Sequence, residues 1–339
     1  MNATAAGPRT GPGRAVGVDT GRPVRPALLA GGNDFYARQA LNRRRTAVLV
    51  ATFVAGVVAL GLAIDAAWIG FPTETAWPVA TLVALVVALC SCLTSYFGGA
   101  TLVLTSLHAQ PLRPEVPEHR QVLNIVTELA LAAGLPPPRV FLIADPAPNA
   151  LAAGRDPEHS VIAVTQGLLN LLDREETQGV VAHELAHIGN RDTLTMTTVA
   201  VLYGAAVLLA DWARRSLALG GERRRASALA LLLVQVLVAV APLQSRLQAM
   251  AVSRQREYLA DATAVQFTRN PLGLARALEK IGLATSPLRA ATRATAPFFI
   301  SDPLRRRVDD REGRVADLLS THPPLRQRIA ILRAMAHGR

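Results

Sequence analysis

The chain has 339 residues and a formal net charge of +11, and half of it is apolar although only 4% is aromatic. Its Ala, Leu and Val are gathered into long runs, which argues for membrane helices rather than one large soluble core. Nearly every base is arginine, Lys280 being the only lysine; this fits a GC-rich genome, and without an aromatic-interleaved basic patch or a helix-turn-helix pattern no nucleic acid partner is expected.

Residues 1–32 are rich in Gly, Pro and Arg without apolar periodicity and read as a disordered tail. They do not read as a signal peptide, because no apolar core follows their charges. A short amphipathic approach ends in Arg43-Arg44-Arg45. The run 46–64, extended to Trp68, and the run 77–97 each suit a hydrocarbon core of about 30 Å. Arginines precede the first run and the link 70–75 has none, so the N-terminus is expected in the cytoplasm. Residues 33–97 are thus read as an anchor of two transmembrane helices. Cys90 and Cys92 lie in its second run; their spacing suits neither a zinc site nor a disulfide framework, and they read as small apolar side chains.

Residues 98–192 read as soluble. The spacing predicts an amphipathic helix over 118–133, ended by Gly134 and Pro136-Pro137-Pro138. Strands are expected at 140–143 and 161–165, with 149–154 as an edge strand between them. A helix over 175–190 follows. Residues 193–242 read as a hydrophobic hairpin of two runs, 193–210 and 226–241, whose loop carries Arg214, Arg215, Arg223, Arg224 and Arg225. The positive-inside rule disfavours that loop outside the cell, so a buried or interfacial hairpin stands beside membrane insertion, the preferred reading. Residues 243–339 read as soluble and helical, with a charged, mobile stretch at 303–314 and a closing helix over 324–336.

The helix over 175–190 carries His183-Glu184-Leu185-Ala186-His187, an H-E-x-x-H pattern. Positions i and i+4 share a helix face, so both imidazoles can reach one zinc ion, and Glu184 beside them can act on water there. A catalytic zinc takes three protein ligands, one more than this motif supplies. In Ser253-Arg254-Gln255-Arg256-Glu257-Tyr258-Leu259-Ala260-Asp261, Glu257 and Asp261 are again i and i+4. Taken alone this is a solvated charged face; beside H-E-x-x-H, Glu257 leads as third ligand and Asp261 as acceptor for the free imidazole N–H of a ligand. The segments flanking the hairpin must then share one zinc, which requires an even number of crossings. Arg254 and Arg328 read as exposed partners of carboxylates, where pairing contributes little.

The stretch 182–192 resembles the HtpX-type membrane zinc metalloproteases, relatives of the CAAX prenyl proteases. Segment 253–261 is similar to the family's third-ligand motif. Asn149-Ala150-Leu151-Ala152-Ala153-Gly154 is similar to its N-A-F-A-x-G segment, with Leu151 where Phe is usual. Thr321-His322-Pro323-Pro324-Leu325 with Arg328 resembles its H-P-P-x-x-x-R motif, and Asn42-Arg43-Arg44-Arg45 also fits. The ordered set covers residues 34–334. The resemblance implies one Zn2+ held by His183, His187 and Glu257, Glu184 as general base, Asp261 behind the ligands, Asn149 on a substrate-binding edge and His322 near the oxyanion.

The expectation is an α+β membrane protein: a mainly helical metalloprotease domain in two parts, 98–192 and 243–339, with a small β-sheet and about four transmembrane or membrane-associated helices. It would sit as a multi-pass protein in a bacterial inner membrane with its site facing the cytoplasm, cleaving misfolded membrane or membrane-proximal proteins. An extended substrate would add to the edge strand near Asn149 by backbone hydrogen bonds. Two rivals stand beside this. An intramembrane protease would need an aspartate motif of the L-D-G type, where this chain has Asn270-Pro271-Leu272-Gly273. A non-catalytic zinc-binding scaffold would have no need of Glu184.

Overall fold

The computed structural model describes residues 34–69, 77–202, 254–284, 286–292, 294–304 and 323–337. The tail 1–32, the run 226–241, residues 203–210 of the run 193–210, most of the charged stretch 303–314 and His322 lie outside these residues. Two long helices open the described chain, α1 (Asp34–Ile69) and α2 (Val79–Ser106). Among the described residues one helix, Thr81–Ser106, is long and apolar enough to cross a membrane. Its residues Leu82, Val83, Val86 and Leu93 are exposed apolar side chains.

A small mixed sheet follows, built from β1 (Gln110–Pro111), β2 (Arg139–Ile143), β3 (Ala150–Gly154) and β4 (Ser160–Thr165), in the order β1-β2-β4-β3. β2 and β4 run parallel with Phe141 opposite Ala163, and β3 returns antiparallel to β4 with Ala152 opposite Ile162. Ala150, Ala152, Ile162 and Val164 enter one core, whereas Leu151, Ala153, Val161 and Ala163 enter another. This is the period-two alternation of a strand whose two faces are both covered. The second core is closed by Val103, Leu104 and Leu107 from the end of α2. The sheet therefore rests on the candidate membrane helix.

The first core is closed by helices. α3 (Pro117–Ala133) buries Val122, Ile125, Val126, Leu129 and Ala130, the apolar stripe of an amphipathic helix, and ends at Gly134 in the left-handed conformation (φ 66°) that glycine adopts without penalty. After the short α4 (Gln166–Leu171), α5 (Arg174–Gly189) starts on a capping box: Asp173 accepts from the Glu176 N–H while Glu176 accepts from the Asp173 N–H. α6 (Asp192–Leu202) follows at once. α7 (Arg254–Thr268), α8 (Pro271–Leu283) and α9 (Leu325–His337) complete the helical layer around α5.

α5 and α8 approach through glycine. A Cβ on Gly179 would lie 2.6 Å from the Leu274 backbone nitrogen, and one on Gly273 would lie 2.8 Å from the Glu175 carbonyl oxygen. Gly179 stands one turn before His183, so whatever pushes α5 from α8 moves the motif. We expect Gly179→Ala to cost about 1–3 kcal/mol through overpacking, read as a fall of a few degrees in the thermal midpoint of detergent-solubilised protein. An unchanged midpoint would contradict this packing account.

Candidate metal centre

His183, Glu184 and His187 are buried on α5, and Glu257 and Asp261 are buried on α7. The two imidazoles stand perpendicular, with their Nε2 atoms 3.2 Å apart. Glu257 faces both, Oε2 lying 3.6 Å from His183 Nε2 and Oε1 3.6 Å from His187 Nε2. One ligand atom from each of His183, His187 and Glu257 falls within 4.8 Å of the others.

The outer nitrogens explain why the inner ones converge. His183 Nδ1 is 3.0 Å from Asp261 Oδ1, and His187 Nδ1 is 3.1 Å from Asp192 Oδ2. A carboxylate accepts only, so each Nδ1 carries its proton and each Nε2 is left as a lone pair aimed inward. That is the tautomer a metal ligand needs. Two imidazoles and one carboxylate are a zinc donor set.

Glu184 is different. Both its oxygens are buried and neither has a well-formed hydrogen bond. Burial lifts its pKa to about 8; the charges of His187 and Arg328 and the Ala152 N–H of β3 oppose that rise, and Glu257 adds to it. A carboxyl group kept orphaned and poised near neutrality suits proton transfer.

Behind the ligands, Arg328 on α9 grips Asp261 with two parallel bonds, Nε to Oδ2 at 2.8 Å and Nη2 to Oδ1 at 2.7 Å. Its Nη1 donates to the Ile300 carbonyl at 2.9 Å. The expectation of an exposed, weakly paired Arg328 is corrected here: the side chain is 0% exposed. Burial pushes its pKa down, but the Asp261, Glu257 and Glu184 carboxylates more than restore it. The same guanidinium and the His183 bond hold Asp261 below the usual carboxylate range despite burial. For His183, burial and Arg328 push downward and the bonds to Asp261 and Glu257 outweigh them, so its pKa is raised.

Asp192 is the residue that sequence reasoning passed over. It follows α5 by a reversal at Arg191, whose φ of 57° is unusual for a side-chain-bearing residue. That reversal turns the chain so that the carboxylate returns to His187 five residues upstream. The unusual backbone has no signature in the residue types, and H-I-G-N-R-D alone does not announce it.

Asn149, expected on a substrate-binding edge, lies at the start of the edge strand β3. Its Nδ2 donates to the Ser301 carbonyl at 3.0 Å, and the Ser301 N–H points back at its Oδ1. The Ile300 N–H takes the outward carbonyl of Ala150, and Phe299 bridges to Leu151. The Gly154 N–H donates to Thr197 Oγ1. In this structure the edge of β3 near Asn149 is occupied by the chain's own residues 299–301, which stand where an added substrate strand would lie.

The sequence pattern of peptidase family M48 matches residues 117–336. The chain belongs to peptidase family M48. It is 46% identical over 248 residues to the protease HtpX homolog of Caldanaerobacter subterraneus subsp. tengcongensis, covering 71% of this chain and 80% of that one. It is 41% identical over 309 residues to the protease HtpX homolog of Thermoanaerobacter pseudethanolicus, covering 88% and 97%. A crystal structure of S. mikatae Ste24p overlaps it with a TM-score of 0.45 at 18% identity, covering 88% of this chain and 67% of that one, too slight a likeness to carry an argument. This M48 protein is therefore a metalloprotease of HtpX type acting on protein or peptide substrates, with a candidate membrane helix beside its site.

Two outcomes follow from the charges. A carboxyl whose folded pKa is raised from 4.5 to about 8 opposes folding once it must ionise, so its cost is absent below the lower value and grows as pH rises between the two. In chelator-treated protein, Glu184→Gln should therefore melt above the wild type at pH 8, by up to a few kcal/mol, and the gap should close near pH 4.5. A gap that does not change with pH would contradict the burial of an ionisable Glu184. Arg328→Met leaves Asp261 a buried, half-paired carboxylate, and chemical denaturation should show a loss of about 3–5 kcal/mol; a neutral effect would mean that the pair is more solvated than its burial indicates.

Proposed function

We propose that this protein is an integral-membrane zinc endopeptidase in which His183, His187 and Glu257 hold one zinc ion and Glu184 is the general base. The convergence of two inward Nε2 lone pairs on the Glu257 carboxylate carries this reading, and the orphaned Glu184 carboxyl supports it. When bound, zinc supplies a lowered pKa for water and polarisation of the scissile carbonyl. Glu184 takes the proton of the attacking water and then gives it to the leaving amine. Its raised pKa suits a group that must both accept and release. Asp261 and Asp192 keep the histidine tautomers, and Arg328 keeps Asp261 ionised. His322, outside the described residues, remains the candidate oxyanion donor on the strength of the family resemblance alone.

In this reading the anchor is residues 33–97, with its second helix α2 running on to Ser106, and the catalytic domain is divided between 98–192 and 243–339; the hairpin expected over 193–242 lies mostly outside the described residues. The arginines before the first run and their absence from the 70–75 link favour a cytoplasmic site. Packing of the sheet onto Val103 and Leu104 of α2 and onto Leu107 at its C-cap supports a site close to the membrane. Misfolded membrane or membrane-proximal proteins are accordingly the substrates in view, in a quality-control role.

The test is cleavage of an unfolded protein by detergent-purified, zinc-loaded enzyme, with metal content measured alongside. Glu184→Gln should keep its zinc and cleave at least about a hundredfold more slowly, and His183→Ala should lose the metal. Equal cleavage by wild type and Glu184→Gln would overturn the assignment of the base, and full zinc in His183→Ala would overturn the ligand set.

A further inference from the structure

Asn42 belongs to α1, the helix that leads into the first apolar run, 150 residues before Asp192 in the chain. Its side chain is nonetheless buried in the metal centre's support, at 6% exposure. Nδ2 donates to Asp192 Oδ1 at 2.7 Å and to the Asn190 carbonyl at 3.2 Å. The other oxygen of the same carboxylate is the acceptor for His187 Nδ1. Asp192 is thus a bridge between an amide on α1 and an imidazole on α5. One turn along α1, Thr46 Oγ1 meets Thr195 Oγ1 at 2.8 Å and donates to the Asn42 carbonyl at 3.0 Å.

We propose that Asn42 is a positioning residue for the metal centre, through which the anchor helix sets the affinity of the site for its ion. The inference rests on the reading of His187 as a ligand. Asp192 is almost wholly buried, and a buried carboxylate needs a donor at each oxygen. His187 satisfies one and Asn42 the other. Without the amide, Asp192 Oδ1 is left to find another donor by rotating about the side chain, and the Oδ2 that fixes the His187 tautomer rotates with it. The consequence is that one support of the catalytic part's metal site comes from the anchor helix. Asparagine suits the position because its NH2 reaches both Asp192 and the Asn190 carbonyl, the C-cap of α5, so that helix end and carboxylate are held by one group.

The full chain in detergent is titrated with zinc against a chromogenic chelator. Outer partners of metal-bound histidines typically tune affinity by ten- to a hundredfold, so Asn42→Ala should weaken zinc binding by about tenfold, and Asn42→Asp more, since it sets a second carboxylate against Asp192. Thr46→Val, which breaks the neighbouring contact of the same helix seam, should stay within about twofold. In an Asp192→Asn background, Asn42→Ala should add nothing, because it acts through that carboxylate. Should Asn42→Ala fail to fold, Asn42→Ser carries the same expectations. Unchanged affinity in folded Asn42→Ala or Asn42→Ser, an equal loss in Thr46→Val, or full additivity with Asp192→Asn would each overturn the proposal. Unchanged affinity in His187→Ala would instead overturn the ligand reading on which it rests.

Discussion

Each histidine of the H-E-x-x-H turn donates its Nδ1 proton to a carboxylate from a different part of the chain, and the rest of the centre depends on those two bonds. Helical spacing alone puts two imidazoles on one face, but it leaves each ring free to flip and to choose its tautomer. Asp261 arrives from α7 and Asp192 from the reversal after α5. With both in place the Nε2 atoms can only face each other and Glu257. The carboxylates are fixed in turn, Asp261 by the Arg328 fork and Asp192 by Asn42. A local motif has thereby been made rigid by three distant segments.

This buried cluster is rich in acid. Glu184, Glu257, Asp192 and Asp261 are all buried, and Arg328 is a buried cation among them. Burying carboxylates without compensation is costly, and the cluster expresses that cost at Glu184, whose pKa rises to about 8. A divalent cation at the focus of His183, His187 and Glu257 would offset the excess. The same features thus serve stability and chemistry: what makes the cluster uncomfortable as a protein core makes it receptive to a metal and supplies a carboxyl ready to move a proton.

Much of this was legible in sequence because it is local. The i,i+4 pair of histidines and the i,i+4 pair Glu257 and Asp261 are both consequences of helix periodicity. The helix expected over 175–190 is observed as Arg174–Gly189, and the amphipathic helix over 118–133 as Pro117–Ala133. What stayed hidden is long-range or conformational. Arg328 looked like a surface base, since nothing in L-R-Q-R-I-A marks one arginine as wholly buried. Asp192 needed the positive φ of Arg191, and Asn42 needed a contact spanning 150 positions. The contacts of Asn149 with residues 299–301 were hidden as well, because the alternation of a strand says nothing about which segment lies beside it, and that segment comes from the far end of the chain.

The most direct test of the central claim is X-ray absorption spectroscopy of the zinc-loaded protein. The account predicts two imidazole nitrogens and oxygen ligation at about 2.0–2.2 Å, with one oxygen ligand altered in Glu257→Gln. A spectrum unchanged by Glu257→Gln, or one lacking two imidazoles, would contradict it.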